Sequence, residues 1–355
     1  MEVKIKILTP LWTGGVETGK CDRIHETGLL GSLRWWMEVL VRGVGGHVCD
    51  PTKQKCLHDP KKPNNGLCDV CQIFGATGWK RRFRLEVVED NTQPDPGVSS
   101  KIELASYQYQ YKDKEGKTQT QNGTPRWWFP DNQKDKPRSG KFIIKIQSLD
   151  PKFKPEIIAD LLQFIADRSA LGARPQMGFG VIQIEGNRIN TQHLYDWLIS
   201  ITGDRTYQQL PSLRNIFMTT LKFKNSSFSE EYEKHTFNLK YDLRQLLRSD
   251  ENLRHFIMGT VKGDRMAAKI KMSRPYEDKN GDRVMRVWGW IPETASVYSD
   301  NWDREKVINE IYNHLKNKYE IQDWREFKSS RDTKTPNEGN SQSFLQNLFN
   351  IGNGR

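Results

Sequence analysis

"KFIIKIQSLDPKFKPEIIADLLQFIADRSALGARPQMGFGVIQIEG", residues 141–186, decides the fold of this chain. At its start Phe142, Ile144 and Ile146 alternate with polar neighbours, so "KFIIKIQSL" (141–149) reads as a half-buried strand. The period then changes. "KPEIIADLLQFIADRSAL" (154–171) repeats apolar residues at helical spacing, with Pro155 in the first turn and Gly172 at the end. "FGVIQIEG" (179–186) returns to strand character. Between helix and strand lies "ALGARPQMGFG" (170–180), which spends three glycines where a plain turn needs one. Backbone of that kind suits close approach. The N–H groups of Gly178 and Gly180 can then reach phosphates without side-chain obstruction, and Arg174 adds a directed charge. The alternative is a β-bulge whose glycines serve conformation alone.

The same alternation of periods extends upstream. "VKIKILTPLW" (3–12) is a strand, and "GLLGSLRWWMEVLVRGVGG" (28–46) is a helix with Leu29, Leu33, Trp36 and Leu40 on one stripe. Thr27 is its expected N-cap, and Gly43 with the following glycines ends it. "RRFRLEVVED" (81–90) is the second strand. A long polar stretch follows, about 91–140, with room for a hairpin. The order is therefore β-α-β-β-α-β, the ferredoxin-like split unit.

The second half repeats that order without repeating the sequence. It contains a strand at 217–223, a mostly helical stretch at 241–261 and a hairpin at 267–292 turning at "KNGD". A helix at 303–320 capped by Asp303 and a strand at 323–330 complete it. The expected fold class is α+β: two tandem ferredoxin-like, RRM-like βαββαβ domains with an inserted cysteine-bearing loop. The expected domains are 1–190 and 216–330, with a bridging segment at 191–215 holding a short helix and a tail at 331–355. Phe344, Leu345, Leu348 and Phe349 give the tail an apolar patch to dock on the body or on a partner.

A net charge of +11 with eleven tryptophans points to a polyanion, and nucleic acid heads that class. An ordinary basic surface is the alternative. No apolar run is long enough to span a membrane, and "MEVKIKIL" reads as a strand and not a signal peptide. Five cysteines, an odd number, fit a reducing compartment, which reads as cytoplasmic.

The loop "TGGVETGKCDRIHETG" delivers Lys20, Arg23 and His25 to a helix N-terminus suited to phosphate. Arg34 and Arg42 flank Glu38 on the first helix and read either as RNA contacts or as a solvated face with i,i+4 pairs. "GWKRRF" (78–83) places Lys80, Arg81 and Arg82 beside Trp79, the mixture used for backbone tracking and base stacking. If the fourth strand lies beside the strand carrying Arg81 and Arg82, they share one RNA track with the glycine stretch. His25 is the one histidine placed to act as a general base on a 2′-hydroxyl, or else it is a hydrogen-bonding loop residue. No nucleotide-cofactor motif is evident.

Cys49-x6-Cys56 and Cys68-x2-Cys71 lie in a loop with little apolar content, where a structural zinc can supply order. His47 and His58 are spare ligands. An idle or redox-active Cys-x-x-Cys is the competing reading.

"LTPLWTGG", "ETGLLGSLRWWMEVLVRG", "CDVCQIFGATGWKRRF" and "LGARPQMGFG" occur in that order, and together they resemble the RAMP superfamily of CRISPR systems. The likeness is strongest to the first-subunit branch of the Cmr (type III-B) complexes. It rests on the first 185 or so residues. It implies two ferredoxin-like domains and a glycine-rich loop near RNA. It also implies a non-catalytic subunit near the 3′ end of the guide RNA, contacting guide or target RNA beside other RAMP subunits. The resemblance further implies that a histidine in the first strand–helix loop serves catalysis in related guide-processing nucleases. His25 therefore keeps a metal-independent endoribonuclease in view, and a mainly structural assembly subunit is the third reading. Cysteines before an "FG" motif bind zinc in related domains, with His47 able to replace one of them.

Overall fold

The computed structural model describes residues 1–17, 20–50, 53, 56–95, 101–103, 107–113, 115–123, 126–128, 136–224, 232–260, 265–294 and 302–351. Parts of the expected 91–140 loop, residues 18–19 of the first glycine-rich loop, residue 261 and the last four residues of the tail lie outside them.

Strand β1 (Glu2–Ile7) buries Val3, Ile5 and Ile7 and leads into helix α1 (Glu26–Gly43). The short helix α2 (Asp69–Phe74) precedes the long strand β2 (Phe83–Pro94). An insertion follows: β3 (Lys101–Glu103), β4 (Tyr107–Lys112), β5 (Thr118–Gly123) and β6 (Arg126–Trp128). β4 pairs with β5 and β3 with β6, so the insertion is a hairpin arm. Strand β7 (Arg138–Ser148), helix α3 (Glu156–Arg168) and strand β8 (Ile182–Ile184) close the first unit. Its antiparallel sheet runs β2-β7-β1-β8, the strand order of a ferredoxin-like split unit.

Helix α4 (Gln192–Ser200) occupies the bridge. The second unit comprises β9 (Ile216–Lys222), α5 (Tyr232–Leu246), α6 (Glu251–Met258), β10 (Ile270–Met272), β11 (Tyr276–Glu277), β12 (Arg283–Trp290), α7 (Arg304–Lys318) and β13 (Glu320–Glu326). Its sheet runs β10-β12-β9-β13, with β11 also on β12. The same topology thus appears twice. Among the described residues no helix is long and apolar enough to cross a membrane.

Three local expectations shift, and the tail takes one of its two expected positions. Helix α1 starts two residues early, with His25 and not Thr27 at the N-cap. Its first turn is tied down from outside: the Glu26 carboxylate accepts from Val87 N–H at 3.2 Å, and Thr13 Oγ1 accepts from His25 N–H at 3.0 Å. The mostly helical stretch expected at 241–261 holds the end of one helix that starts earlier, at Tyr232, and the whole of a second, because Asp250 caps a new one by accepting from Leu253 N–H at 2.9 Å. The last strand lies at 320–326, directly after α7, and not at 323–330. The tail forms helix α8 (Ser341–Leu348), which buries Phe344, Leu345, Leu348 and Phe349 in the first unit's core; Phe349 meets Phe164 edge-on at 5.5 Å. The apolar patch therefore docks on the body.

β9 explains how the two units join. Phe217 and Leu221 enter the core under the second unit's helices, while Ile216 and Met218 enter the first unit's core. A strand buried on both faces reads as an unbroken apolar run, as "IFM" does. Across the junction Arg286 Nη1 donates to Ser169 O at 2.9 Å, Arg274 N–H donates to Gly178 O at 2.9 Å, and Arg168 pairs with Asp323.

Candidate nucleic-acid interface and cysteine centre

The glycine stretch is shaped by the second unit. Gly178 has φ +88°, and a Cβ there would lie 2.9 Å from Arg274 N and 2.7 Å from Arg274 Cγ. Gly180 has φ +93°, and its Cβ would fall 2.0 Å from Leu171 O. Both the left-handed backbone and the close approach require glycine. The amides expected to face phosphate are spent internally. Gly172 N–H donates to Ser32 Oγ, Gly178 N–H to Pro175 O and Gly180 N–H to Pro10 O. Arg174 is left-handed at φ 55° and stacks its guanidinium on Trp12 at 4.0 Å. Gly178→Val combines strain with a backbone clash across the unit junction, so a loss of more than ~1 kcal/mol is expected, read as a lower Tm. An unchanged Tm would show that the junction does not need this glycine.

The shared track does not form. β8 and β2 are opposite edges of the sheet, with β1 and β7 between them, and β2 begins at Phe83, after Arg81 and Arg82. Arg81 Nε donates to Phe83 O at 2.8 Å, and its guanidinium lies over the Phe83 ring. Arg82 pairs with Asp150 at 3.3 Å and lies over Trp79, whose indole N–H donates to Gln72 O. Lys80 is exposed. Arg42 is 3% exposed and donates to Glu38 and to Pro211 O, so it lies below any surface a phosphate could reach. Lys20 pairs with Glu17 and Arg23 with Glu26.

His25 is 8% exposed, and its Nε2 lies 2.7 Å from Asp22 Oδ1. The hydrogen bond from His25 and a backbone amide hold the Asp22 carboxyl below the usual range.

What the tertiary structure adds is a cleft of about 1450 Å³ between the units. One wall is the first turns of α1, where Gly28, Gly31 and Ser32 keep the surface low and Trp35 stands up from it. The glycine stretch forms an edge through Gly172, Ala173 and Pro175–Met177. The facing wall belongs to the second unit and carries Lys240, Arg244, Lys269, Lys271, Trp288 and Trp290. No carboxylate lines the cleft among the described residues.

The cations hold themselves on weak partners. Lys269 Nζ donates to Phe256 O at 2.7 Å and sits 3.7 Å from that ring's centre and 5.3 Å from that of Trp290. Lys271 Nζ donates to Ala268 O at 3.2 Å and lies 5.6 Å from the Trp35 ring. Arg244 donates to Gly259 O. Burial pushes Lys240, Lys269 and Lys271 each down to about 8, with neighbouring cations adding to the shift at Lys240 and Lys271. Sequence reading passed over these lysines, although the signal was present. In "AAKIKM" lysines alternate with core residues, and register sets Lys271 opposite Trp288 of "VWGW".

The four cysteines of the loop converge. The sulfurs of Cys49, Cys56, Cys68 and Cys71 all lie within 4.8 Å of one another, with Cys49 and Cys71 at 3.7 Å. A tetrahedral ion with metal–sulfur bonds of ~2.3 Å needs sulfurs roughly 3.8 Å apart. Cys68 N–H donates to Cys56 Sγ at 3.3 Å and Cys71 N–H to Cys68 Sγ at 3.4 Å, as thiolates require. Hydrogen bonds from Cys49 and Cys71 hold the Cys68 thiol well down, while Cys49 is pushed up to about 12 by its bond to Cys68. A divalent ion would take up the protons' role for all four. His47 and His58 are not in the cluster; His58 instead lies against the Trp79 ring. Cys21, the fifth cysteine, is buried beside Thr13.

The chain is similar to Cmr1 from Pyrococcus furiosus, whose apo crystal structure aligns at 13% identity and a TM-score of 0.47, over 88% of this chain and 96% of that one. No curated protein matches the sequence. The model of the RAMP superfamily matches residues 4–183, from within β1 to within β8 and so nearly all of the first ferredoxin-like unit. With just over half of its 355 residues matched, the chain belongs to the RAMP superfamily.

Proposed function

We propose that this chain is a non-catalytic RNA-binding subunit of a type III-B (Cmr) CRISPR effector complex, acting in the cytoplasm. It holds guide or target RNA near the guide's 3′ end, beside other RAMP subunits. Family membership and the four ordered motifs support the assignment to such a complex. The observation that carries RNA binding is the cleft between the units. It gathers Lys240, Arg244, Lys269 and Lys271 with Trp35 and Trp290, and no carboxylate is among the described lining. Desolvated cations are stabilised by an arriving anion, and the half-buried indoles of Trp35 and Trp290 offer stacking surfaces to unpaired bases. Salt-dependent binding of single-stranded RNA by the purified chain is expected. Negligible affinity near physiological salt would instead favour a mainly structural assembly subunit. Trp35→Ala should weaken binding by ~1–3 kcal/mol, the range of a stacked base, with the salt dependence unchanged because no charge is lost. An unaltered affinity would remove Trp35 from the interface.

A second reading rests on the His25–Asp22 contact, which has the geometry of a general base and the group orienting it. Labelled guide-repeat RNA incubated in EDTA separates the two readings. The expected result is no discrete cleavage. Cleavage that disappears in His25→Ala would make the chain a metal-independent endoribonuclease.

The cysteine centre fits zinc, because four thiolate donors select it over harder ions. Bound there, zinc supplies structural order to the loop and no chemistry on RNA. Elemental analysis of a reduced, chelator-free preparation should give about one zinc per four-thiolate site. A well-folded preparation without zinc contradicts the assignment.

A further inference from the structure

Arg34 stands on α1 with its guanidinium turned toward the cysteine loop. Nη2 lies 3.0 Å from Cys71 Sγ, Nη1 donates to Gly75 O at 3.1 Å, and Nε donates to Glu38 at 3.1 Å. All three nitrogens are therefore committed, and the side chain is fixed in place. The sulfurs of Cys56 and Cys68 receive backbone amides, whereas the Cys71 sulfur receives the guanidinium.

Charge explains why a cation belongs there. A divalent ion with four thiolates carries a net charge of about −2, which is costly where Cys68 and Cys71 are buried. A guanidinium against one sulfur cancels one unit and donates a charge-assisted hydrogen bond. The same side chain reaches the carbonyl of Gly75, immediately after α2. It thus ties the loop carrying Cys68 and Cys71 to the helix that walls the cleft.

We infer that Arg34 is a positioning residue of the metal centre, holding the metal-bound Cys71 thiolate from outside the coordination sphere, and not an RNA contact. This rests on the metal reading above.

The test uses the full-length chain with zinc and, separately, with cobalt(II). Wild type, Arg34→Met and Arg34→Lys are compared by chelator competition and by the cobalt–thiolate charge-transfer band. Arg34→Met should bind zinc about 10–100-fold more weakly, the usual cost of losing such a partner, with the cobalt band shifted. Arg34→Lys keeps the charge but not the fork, so it should fall between the two. It also serves if Arg34→Met does not fold. Loaded wild type with equal zinc affinity and an identical cobalt band in the variants overturns the role of Arg34 alone. Wild type that takes up neither metal overturns the metal centre itself, and the role of Arg34 with it.

Discussion

Replacing Lys269 and Lys271 together by methionine is expected to remove most RNA affinity while leaving the free protein more stable. Both ammonium groups are held in a cleft wall without a carboxylate, and burial has pushed each down to about 8. At neutral pH the folded chain therefore carries charges that it would solvate better when unfolded. Methionine has a similar shape without that cost. Each lost phosphate contact should reduce the log–log salt slope by roughly 0.7, so the pair should reduce it by about 1.4. Arg81→Glu with Arg82→Glu should do much less, because those arginines lie beyond the far edge of the first sheet and are engaged with Phe83 and Asp150. If the methionine pair binds RNA with wild-type affinity and slope, the cleft is not the RNA site.

The pH dependence follows from the same groups. Their folded values lie below the unfolded value of 10.5. Below about 8 both states are protonated, and the folded state bears the full cost of burial. Between about 8 and 10.5 the unfolded state binds more protons, so this contribution to stability rises with pH. RNA affinity should move the opposite way and fall as pH rises through about 8, where the cleft loses its charge. Calorimetry and anisotropy at matched ionic strength read the two trends. A flat affinity profile between pH 7 and 9 would contradict the assignment of these lysines to phosphate.

Removing the metal should produce the other large effect. Helix α2 has only six residues, too few to form alone, and Cys68 is its N-cap. The described residues of 47–82 otherwise rest on buried side chains such as Val48, Leu67, Val70 and Ile73. Binding of structural zinc by four ligands is worth of the order of 10 kcal/mol, as much as those side chains supply together at about 1.5–3 kcal/mol each. Cys68→Ser, or stripping with a strong chelator, should raise amide exchange across residues 47–82 by orders of magnitude. β1, β7 and α3 should stay protected, because β7 pairs along its length with β1 and β2 and Ile5, Ile144 and Ile158 are fully buried, even though Leu67, Val70 and Ile73 join the same core. Uniform loosening of the whole first unit would show that the loop is not a separate cooperative element.

Both ferredoxin-like units were legible in the sequence because the buried pattern of each element is local. Val3, Ile5 and Ile7 alternate on β1, and Leu29, Leu33, Trp36 and Leu40 recur on α1; a period of 2 or 3.6 needs no knowledge of the partner. The cysteine centre was legible for a related reason: few residue types ligate zinc, and four of them lay in one loop. The cleft proposed here to hold RNA was not. Its wall is assembled from α1, the glycine stretch, α5 and β10, which approach one another only when β9 buries both its faces and brings the units together. The positions singled out from sequence were cations beside glycines. Tertiary structure turned Arg34 toward Cys71, buried Arg42 and used Gly178 to admit Arg274. Sequence determined which residues carry charge and which elements carry them. Only the packing of one unit on the other decided which charges are left facing an open cleft, because the direction of a side chain depends on contacts far away in sequence.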